Sequence, residues 1–350
     1  MKILYVAAVS NQVSGGTAVM SRNLKLIRSI AGVEVEELQV SMQSKVNALI
    51  AALTGGNFIL SKRDEKLILK KVREEHFDYV FQEGTSSGHL AEQLSKRGEK
   101  LIAFAHNVET MLYEERMHSY QFNLIEAIKY YLIKLNEKKT VKYCTKLVTL
   151  TKRDKDIFLE KFGRKADMII PISFDTMIDQ PSSIMEEDDY CLFVGSNFFP
   201  NIEGMNWFLK NVAPKIKLNT KVVGTCCNTL DPIPENMRGK VEYLGLVDDL
   251  KSLYKNATIV IAPIFKGSGM KTKTIEAMSF GKTIIGTDEC FQGIECDYSK
   301  IGALCNKAEE FIAAINNHDG SKQNKYTIDL FESQFSNKAV LPLYKVLFES

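Results

Sequence analysis

The sequence has few of the features that mark special classes of protein. Its 350 residues include only 8 prolines and 21 glycines, too few for a collagen-like or linker-dominated chain. No apolar run approaches the roughly 18 residues that a membrane-spanning helix needs. The 45 basic and 43 acidic side chains give a formal charge of +2, which does not indicate a nucleic-acid binder. What remains is an ordinary globular composition, with a length that favours two domains of about 150 residues each.

Cysteines are also few, and their spacing indicates neither a disulfide framework nor a metal site. The chain has seven, an odd number, and only Cys226 and Cys227 are adjacent. There is no CxxC pair and no Cys/His cluster with zinc spacing. Separated thiols are typical of a reduced chain, so we expect a cytoplasmic protein with no metal ion. The apolar start, Ile3–Val9, runs into polar residues instead of a cleavage site and predicts a buried strand.

Short apolar segments alternate with longer helical patterns in both halves of the chain, which is typical of parallel α/β sheets. The polar stretch 175–189, which ends in an acidic run, is the best linker candidate. The sequence therefore predicts two α/β domains, at 1–178 and 188–334. A last amphipathic segment, at about 329–348, follows the second predicted sheet.

A glycine-rich loop in the second half is the richest chemical segment. The predicted strand Ile259–Ala262 leads into the loop Gly267–Met270, and a helix begins near Lys273. Ligands of open α/β sheets bind at the carboxyl ends of the strands, where glycines let backbone N–H groups approach a phosphate. Lys271 and Lys273 add positive charge, and the Glu276 carboxylate is suited to accept hydrogen bonds from sugar hydroxyls. The pattern indicates a nucleotide-sugar site; from spacing alone, a solvated turn with two surface lysines is the alternative.

Two longer patterns in this half resemble a known family. One runs from Leu192 to Pro214 and includes Gly-Ser-Asn-Phe-Phe-Pro-Asn; the other runs from Val241 through the glycine loop to Thr287. Together they are similar to the donor-binding half of glycosyltransferase family 4, whose members are retaining enzymes with the GT-B fold. The resemblance implies two Rossmann-like domains that face each other across a cleft. It also implies a C-terminal helix, residues 335–350, that crosses back to the first domain.

The resemblance assigns roles to residues of the second half. Glu276 matches the carboxylate that binds the donor ribose, Lys271 is the expected counter-charge for the diphosphate, and the backbone around Val247 matches the stretch that reads the base. The chain departs from the family at Ser268, where many members carry a second glutamate eight residues before Glu276. The remaining donor-binding predictions are Gly195, Asn197, Gly267, Ser268, Gly269, Met270 and Lys273.

In the first half, a glycine pair follows the first predicted strand. Gly15, Gly16 and Thr17 precede a predicted helix, Ala18–Ala31, and adjacent glycines allow close approach of the backbone to an anion. An ordinary left-handed turn is the alternative from the residues alone. The resemblance favours the glycine loop that contacts the donor diphosphate in GT-B enzymes.

Two further segments of the first half follow predicted strands and point to the reacting groups. His106, Asn107 and Glu109 are similar to a family motif whose histidine contacts the transferred sugar or the acceptor hydroxyl. An imidazole donates or accepts hydrogen bonds near neutral pH, which suits that contact; a structural strand-end histidine is the alternative. Glu83 and Thr85 follow Tyr79–Gln82 and are predicted on the acceptor side, although this segment equally fits the start of the next helix.

Charge is distributed unevenly along the chain. Residues 1–178 carry 27 basic and 21 acidic side chains, whereas residues 179–350 carry 18 and 22. Lys129–Lys155 alone contains nine basic and two acidic residues. Apolar residues recur there near helical spacing, so the segment is either a basic amphipathic face or a core helix with a solvated back. The first interpretation predicts contact with an anionic membrane surface.

One apparent metal motif is better explained as a helix start. Asp154-Lys155-Asp156 resembles the metal-binding Asp-x-Asp of the other major glycosyltransferase fold. It follows a predicted strand and Thr151, however, and acidic residues favour the first turn of a helix. We therefore predict no metal site here.

The resemblance implies a retaining, metal-independent hexosyltransferase. It moves a sugar from a nucleotide-diphosphate sugar, UDP- or GDP-linked, to a glycan or lipid-linked acceptor in bacterial-type cell-surface polysaccharide synthesis. No cofactor and no nucleic-acid partner are expected, and the predicted location is cytoplasmic, with contact at the inner face of the membrane. The alternatives are a nucleotide-sugar epimerase or phosphorylase on the same fold, or a non-catalytic nucleotide-binding module.

Overall fold

The chain folds into two compact α/β units. The computed structural model describes residues 1–9, 15–41, 57, 60–119, 124–178 and 189–349. Unit 1 comprises Met1–Pro171, Ser268–Met270 and Leu341–Ser350, and unit 2 comprises Ile172–Gly267 and Lys271–Val340. The first division falls after Pro171, seven residues before the end of the predicted domain. Most of the predicted linker, residues 179–188, lies outside the described residues.

Unit 1 contains a parallel sheet of six strands in the order β2-β1-β3-β4-β5-β6. The strands are β1 (Lys2–Val9), β2 (Glu34–Ser41), β3 (Tyr79–Glu83), β4 (Leu101–Ala105), β5 (Lys146–Thr149) and β6 (Met168–Ile169). The helices are α1 (Gly15–Arg28), α2 (Lys62–Glu74), α3 (Gly88–Lys96), α4 (Glu109–Ser119), α5 (Leu124–Tyr143) and α6 (Lys152–Phe162).

The central strands of unit 1, β3 to β5, are largely buried on both faces of the sheet. Every residue of β4 is buried, as is expected for a parallel strand with an almost continuous apolar sequence. In the register of β3 and β4, Glu83 lies opposite Phe104. The residues that follow these two strands therefore meet at one edge of the sheet.

The start of α6 confirms the helix interpretation of the acidic motif. Thr151 caps the helix: its hydroxyl accepts a hydrogen bond from the Asp154 backbone N–H at 3.0 Å and donates to the Asp154 carboxylate at 2.7 Å. The helix ends at Gly163, which adopts a φ of 71°. Among the described residues, no group of three or more His, Cys, Asp or Glu side chains is placed to hold a metal ion.

Unit 2 contains a second six-stranded parallel sheet, in the order β12-β11-β10-β7-β8-β9. Its strands are β7 (Tyr190–Val194), β8 (Asn219–Val223), β9 (Val241–Gly245), β10 (Ile259–Ala262), β11 (Thr283–Gly286) and β12 (Gly302–Leu304). Its helices are α7 (Phe199–Asn211), α8 (Leu250–Asn256), α9 (Thr272–Ser279), α10 (Tyr298–Ile301), α11 (Ala308–Asn316), α12 (Lys325–Gln334) and the first part of α13 (Asn337–Glu349); single 3₁₀ turns lie at Ala213–Lys215, Thr225–Asn228 and Glu235–Met237.

The strand order reverses once in each sheet, and this reversal positions the candidate sites. It lies between β1 and β3 in unit 1 and between β7 and β10 in unit 2. In open α/β sheets, ligands bind beyond the carboxyl ends of the strands at such a reversal. The loops after these strands are therefore where a ligand is expected in each unit.

The C-terminal residues pack on unit 1, as the resemblance implies. The Tyr344 hydroxyl donates to the side-chain oxygen of Asn23 at 2.6 Å, and the Phe348 ring lies 5.9 Å from that of Tyr79. The predicted C-terminal helix, residues 335–350, corresponds to α13, and the amphipathic segment at about 329–348 covers parts of two helices, α12 and α13. They separate where Phe174 pairs with the backbone: its N–H donates to Phe335, and its carbonyl accepts from Asn337.

No helix in the described part of the chain is both long enough and apolar enough to cross a membrane.

Candidate functional site

Three adjacent strands of unit 2 end in glycines that lie against one another. Gly195 follows β7, Gly224 follows β8 and Gly245 ends β9. The Gly195 N–H donates to Val223 at 2.9 Å, and the Gly224 N–H donates to Gly245 at 2.7 Å. A Cβ atom at Gly224 would lie 2.2 Å from the carbonyl oxygen of Gly195, and its φ is +108°. Only glycine fits there, so bare backbone forms this edge of the sheet.

The predicted glycine loop follows the neighbouring strand β10. Gly267 and Gly269 have φ values of +132° and +68°, which L side chains rarely adopt, so the loop depends on both glycines. Ser268 and Met270 are buried. Helix α9 begins at Thr272, close to the predicted start, and places both lysines at its N-terminus. The helix dipole there favours a bound anion.

The two lysines at this helix terminus have different partners. The Lys271 ammonium lies 2.6 Å from Oε1 of Glu289, and both side chains are mostly buried. The Lys273 ammonium donates to the Asn201 side chain at 2.6 Å and lies 4.2 Å from the centre of the Phe193 ring. Burial lowers the pKa of Lys273 to about 7, and the charge of Lys271 acts in the same direction. The Lys273 side chain therefore loses its proton more readily than an exposed lysine does.

Glu276 lies one turn further along α9 and is held by a buried tyrosine. The Tyr254 hydroxyl donates to Oε2 of Glu276 at 2.9 Å, and the Tyr254 ring stacks on Phe280 at 4.8 Å. Burial raises the pKa of Glu276, and the hydrogen bond from Tyr254 opposes that shift. Within the described part of the chain, no partner holds Oε1. The carboxylate is thus oriented by one oxygen, with the other left to accept hydrogen bonds.

The remaining predicted donor-binding residues of unit 2 also lie near the ends of strands. The Asn197 N–H donates to the Thr225 hydroxyl at 2.7 Å, and the Asn197 side chain is exposed. Val247, after β9, is half-buried next to the exposed Leu246.

A groove of about 230 Å³ adjoins the glycine loop, and its walls include Trp207, the only tryptophan of the chain. The other groove residues are Pro200, Glu203, Gly204, Phe265 and Lys266.

In unit 1, the glycine pair is helical and not part of a turn. Helix α1 begins at Gly15, three residues before the predicted start, so Gly15, Gly16 and Thr17 form its first turn. Residues 10–14, between β1 and this helix, lie outside the described residues. The pair still follows β1 at the strand reversal, where the free N–H groups of a helix N-terminus favour an anion.

A buried carboxylate and an imidazole meet at the ends of β3 and β4. Oε2 of Glu83 lies 2.5 Å from Nε2 of His106, and the two side chains are 1% and 13% exposed. Oε1 of Glu83 accepts hydrogen bonds from the Tyr5 hydroxyl and, at 2.8 Å, from the Asn23 amide. The predicted residues Glu83 and His106 are therefore direct partners, whereas Tyr5 and Asn23 carry no signal in the sequence.

The other predicted residues of unit 1 surround a second buried acid. The Thr85 hydroxyl is fully buried and donates to Glu137 at 2.8 Å. The Glu137 carboxylate also accepts the backbone N–H groups of Glu109 and Thr110, at 2.9 and 2.8 Å, and so caps helix α4. Burial raises the pKa of Glu137. Burial and the charge of Glu137 together raise the pKa of Glu109 to about 7. Asn107 is half-buried in the loop before this helix.

Comparison with known proteins finds a family match within unit 2. Residues 188–318 match the family described as Glycosyl transferases group 1. An uncharacterized glycosyltransferase of Haemophilus influenzae is 26% identical over 229 residues, which are 60% of each chain. An uncharacterized 44.6 kDa protein in the cps region of Klebsiella pneumoniae is 25% identical over 173 residues, 44% of this chain and 45% of that one. The chain thus matches about three fifths of the Haemophilus influenzae protein and less than half of the Klebsiella pneumoniae protein.

Solved structures extend the likeness to the whole chain. Sucrose-phosphate synthase from Thermosynechococcus elongatus superposes with a TM-score of 0.74 at 14% identity and 99% coverage of both chains. Anabaena HepE in complex with UDP-glucose gives 0.69 at 13% identity, covering all of both chains. WaaG, a glycosyltransferase involved in lipopolysaccharide biosynthesis, gives 0.67 at 13% identity and 99% coverage of both. Residues 188–318 thus match the group 1 glycosyltransferase family, and the whole chain has the GT-B fold.

Proposed function

We propose that the protein transfers a sugar from a nucleotide-diphosphate sugar to a glycan or lipid-linked acceptor in bacterial cell-surface polysaccharide synthesis. This proposal is supported by the groups found at the carboxyl edge of the unit 2 sheet. Helix α9 carries an oriented carboxylate and a buried amine there, neighbouring strands end in glycines, and these residues match the group 1 glycosyltransferase family. UDP-linked donors are the first choice, because UDP-glucose is bound by a protein of the same fold.

The donor chemistry follows from the groups present in unit 2. Glu276 accepts hydrogen bonds from the ribose hydroxyls through Oε1, while Tyr254 holds the other oxygen. Lys273 and Lys271 supply positive charge for the diphosphate as it leaves, together with the N-terminus of α9. Stabilisation of developing charge by fixed groups of this kind is worth about 10²–10³ in turnover. In this proposal the reaction is retaining and metal-independent, and the departing phosphate accepts the proton of the acceptor.

A donor screen tests the proposal. UDP-, GDP-, ADP- and TDP-sugars are compared by the shift in melting temperature, and release of the nucleoside diphosphate is then measured with and without glycan or lipid acceptors. We expect one nucleotide to stabilise the protein and its sugar to be released faster with acceptor, with unchanged rate in a chelator. An anomeric product of retained configuration, observed by NMR, supports retention. Binding without sugar release under any condition favours a non-catalytic module, and an isomerised donor favours an epimerase.

We also propose that helix α5 contacts an anionic membrane surface. Three apolar side chains of this helix are exposed: Leu124, Tyr131 and Leu135, at 66%, 60% and 39%. Their spacing of seven and four residues places them on one helix face. Three exposed lysines share that face: Lys134, Lys138 and Lys142. An apolar stripe flanked by basic residues is the pattern of a helix that lies in a membrane interface.

A further inference from the structure

Glu83 is not placed to bind an acceptor hydroxyl itself. Both of its oxygens already accept hydrogen bonds or face the imidazole, and the side chain is sealed from solvent. A buried carboxylate with both oxygens occupied can act only through its neighbours. Among these neighbours, His106 is the residue that the proposed function places in the transfer reaction.

We propose that Glu83 is a positioning residue that holds the ring proton of His106 on Nε2, so that Nδ1 is the nitrogen that meets the sugar or the acceptor hydroxyl. This inference rests on the proposed function, which places His106 in the reaction. An ionised carboxylate only accepts hydrogen bonds, so the imidazole nitrogen that faces it must carry the proton. The other ring nitrogen, Nδ1, then presents a lone pair. A carboxylate that fixes the tautomer and orientation of an imidazole in this way is a recurrent device in hydrolases.

The surroundings of Nδ1 support this assignment. In the part of the chain that the structure describes, Nδ1 of His106 is buried and has no hydrogen-bond partner. Leaving a buried polar atom without a partner costs about 1–3 kcal/mol. Native proteins retain few such atoms, and a bond completed by a bound molecule is one explanation for those that remain.

The partners of Glu83 fix which of its oxygens faces the histidine. Tyr5 on β1 and Asn23 on α1 both donate to Oε1, so Oε2 is left for His106. The Asn23 amide is oriented in turn, because its oxygen accepts from Tyr344 on α13. A chain of hydrogen bonds thus runs from the C-terminal helix to the imidazole. Arg22 interacts electrostatically with Tyr5, and Glu109 with His106.

This arrangement makes Glu83→Gln a variant that moves one proton with little change of shape. The Asn23 amide continues to donate to the side-chain oxygen of the variant, so the new NH₂ group occupies the position of Oε2. An NH₂ group donates and does not accept, so Nε2 of His106 must become the acceptor and the ring proton must move to Nδ1. The variant therefore blocks the lone pair that the proposal assigns to the reaction.

The test combines a measurement of the ring with one of the reaction. ¹⁵N NMR of labelled histidine reports the protonated nitrogen, and a His106→Gln variant identifies the signal among the five histidines. We expect a proton on Nε2 in the wild type and on Nδ1 in Glu83→Gln. The kcat for sugar transfer should fall at least about tenfold in Glu83→Gln, with the donor KM nearly unchanged.

Glu65→Gln is the matched control. Glu65 on α2 is also buried and also faces an imidazole, Nδ1 of His89 on α3, but no site residue lies on either helix. This variant breaks a comparable pair and should leave kcat unchanged. A wild-type ring proton on Nδ1, or a Glu83→Gln enzyme with normal kcat, overturns the positioning role while the function stands. Failure of the function itself differs: the wild type then binds and turns over no nucleotide sugar, and both proposals fall.

Discussion

At the scale of single residues, the partner of each charge decides what it does. Spacing alone treats Lys271 and Lys273 as equivalent, two residues apart at the start of one helix. The structure separates them, because Lys271 faces a carboxylate whereas Lys273 faces an amide oxygen and an aromatic ring. A bound diphosphate must compete with Glu289 for the first lysine. At Lys273, the diphosphate does not have to displace a carboxylate.

Affinity for a nucleoside diphosphate should therefore depend on pH through Lys273. With its pKa lowered to about 7, the amine is mostly charged at pH 6 and mostly neutral at pH 8. We expect binding, measured by quenching of the Trp207 fluorescence, to weaken over this interval. Lys273→Met should bind at least about tenfold more weakly at pH 6, with a flatter pH profile. Equal profiles for the two proteins would place the diphosphate elsewhere.

Glu276→Ala is expected to weaken binding of the nucleoside diphosphate by about 1–3 kcal/mol, because hydrogen bonds to a charged group are lost. Tyr254→Phe should weaken it less, since the carboxylate remains and only its orientation is relaxed. Isothermal titration of the diphosphate measures both effects. Glu242→Ala, at an exposed position of β9, is the control and should bind normally. Unchanged affinity in Glu276→Ala contradicts the ribose assignment.

Glu109 should make the stability of the fold depend on pH. Its pKa is about 7 in the fold against about 4.3 in an unfolded chain, so the folded state binds the extra proton between these values. The resulting stabilisation is complete below pH 4.3 and is lost as the pH rises through 7. Relative to Glu109→Gln, the wild type should lose about 1–3 kcal/mol between pH 4.5 and 7.5 in denaturant titrations. Parallel curves for the two proteins contradict this account.

At the scale of elements, the strands are predicted well and some helices are not. Buried parallel strands have continuous apolar sequences, so β3 and β10 lie where the sequence predicts them. Helix α4 is not predicted, because its N-terminus is satisfied by Glu137, a residue of a different helix. The break between α12 and α13 likewise depends on pairing with Phe174, which is remote in the sequence.

The residues of the candidate site likewise include some that the sequence predicts and others that it does not. Glu83, His106 and Glu276 are predictable, because residues that follow parallel strands or open the next helix collect at the carboxyl edge of their own sheet. Their partners are not predictable: Tyr5, Asn23 and Tyr254 come from elements distant in sequence, and no local pattern marks them. Long-range contacts therefore set the orientation and ionisation of groups whose positions are local consequences of the strands.

The exposed face of α5 gives a prediction at this scale. Replacing Lys134, Lys138 and Lys142 with Gln should weaken co-sedimentation with anionic liposomes at low salt, because each basic residue near such a surface contributes about 1 kcal/mol. Wild-type binding should decrease as ionic strength rises. Replacing three exposed lysines of α2 (Lys62, Lys66 and Lys70) makes the same change of charge on another helix and should have little effect. Equal binding to neutral and anionic vesicles contradicts the electrostatic contact.

At the scale of the whole molecule, the end of the chain belongs to the unit in which the chain begins. Helix α13 starts in unit 2 and ends in unit 1, where Tyr344 and Phe348 are buried against α1 and β3. Folding of unit 1 therefore depends on residues that follow unit 2. The same helix supplies the tyrosine at the far end of the hydrogen-bond chain to His106.

Phe348→Ala should consequently destabilise unit 1 without affecting unit 2. Truncating a buried phenylalanine costs about 3–5 kcal/mol, and the Phe348 ring packs on Tyr79 and Phe81 of β3. In hydrogen exchange, we expect faster exchange in β1, β3 and β4 and unchanged exchange in β7, β8 and β10. Val346→Ala, at a half-exposed position of the same helix, is the control and should behave like the wild type. Equal acceleration in both sheets would mean that the two units unfold together, so that the C-terminal helix stabilises the molecule as a single cooperative body.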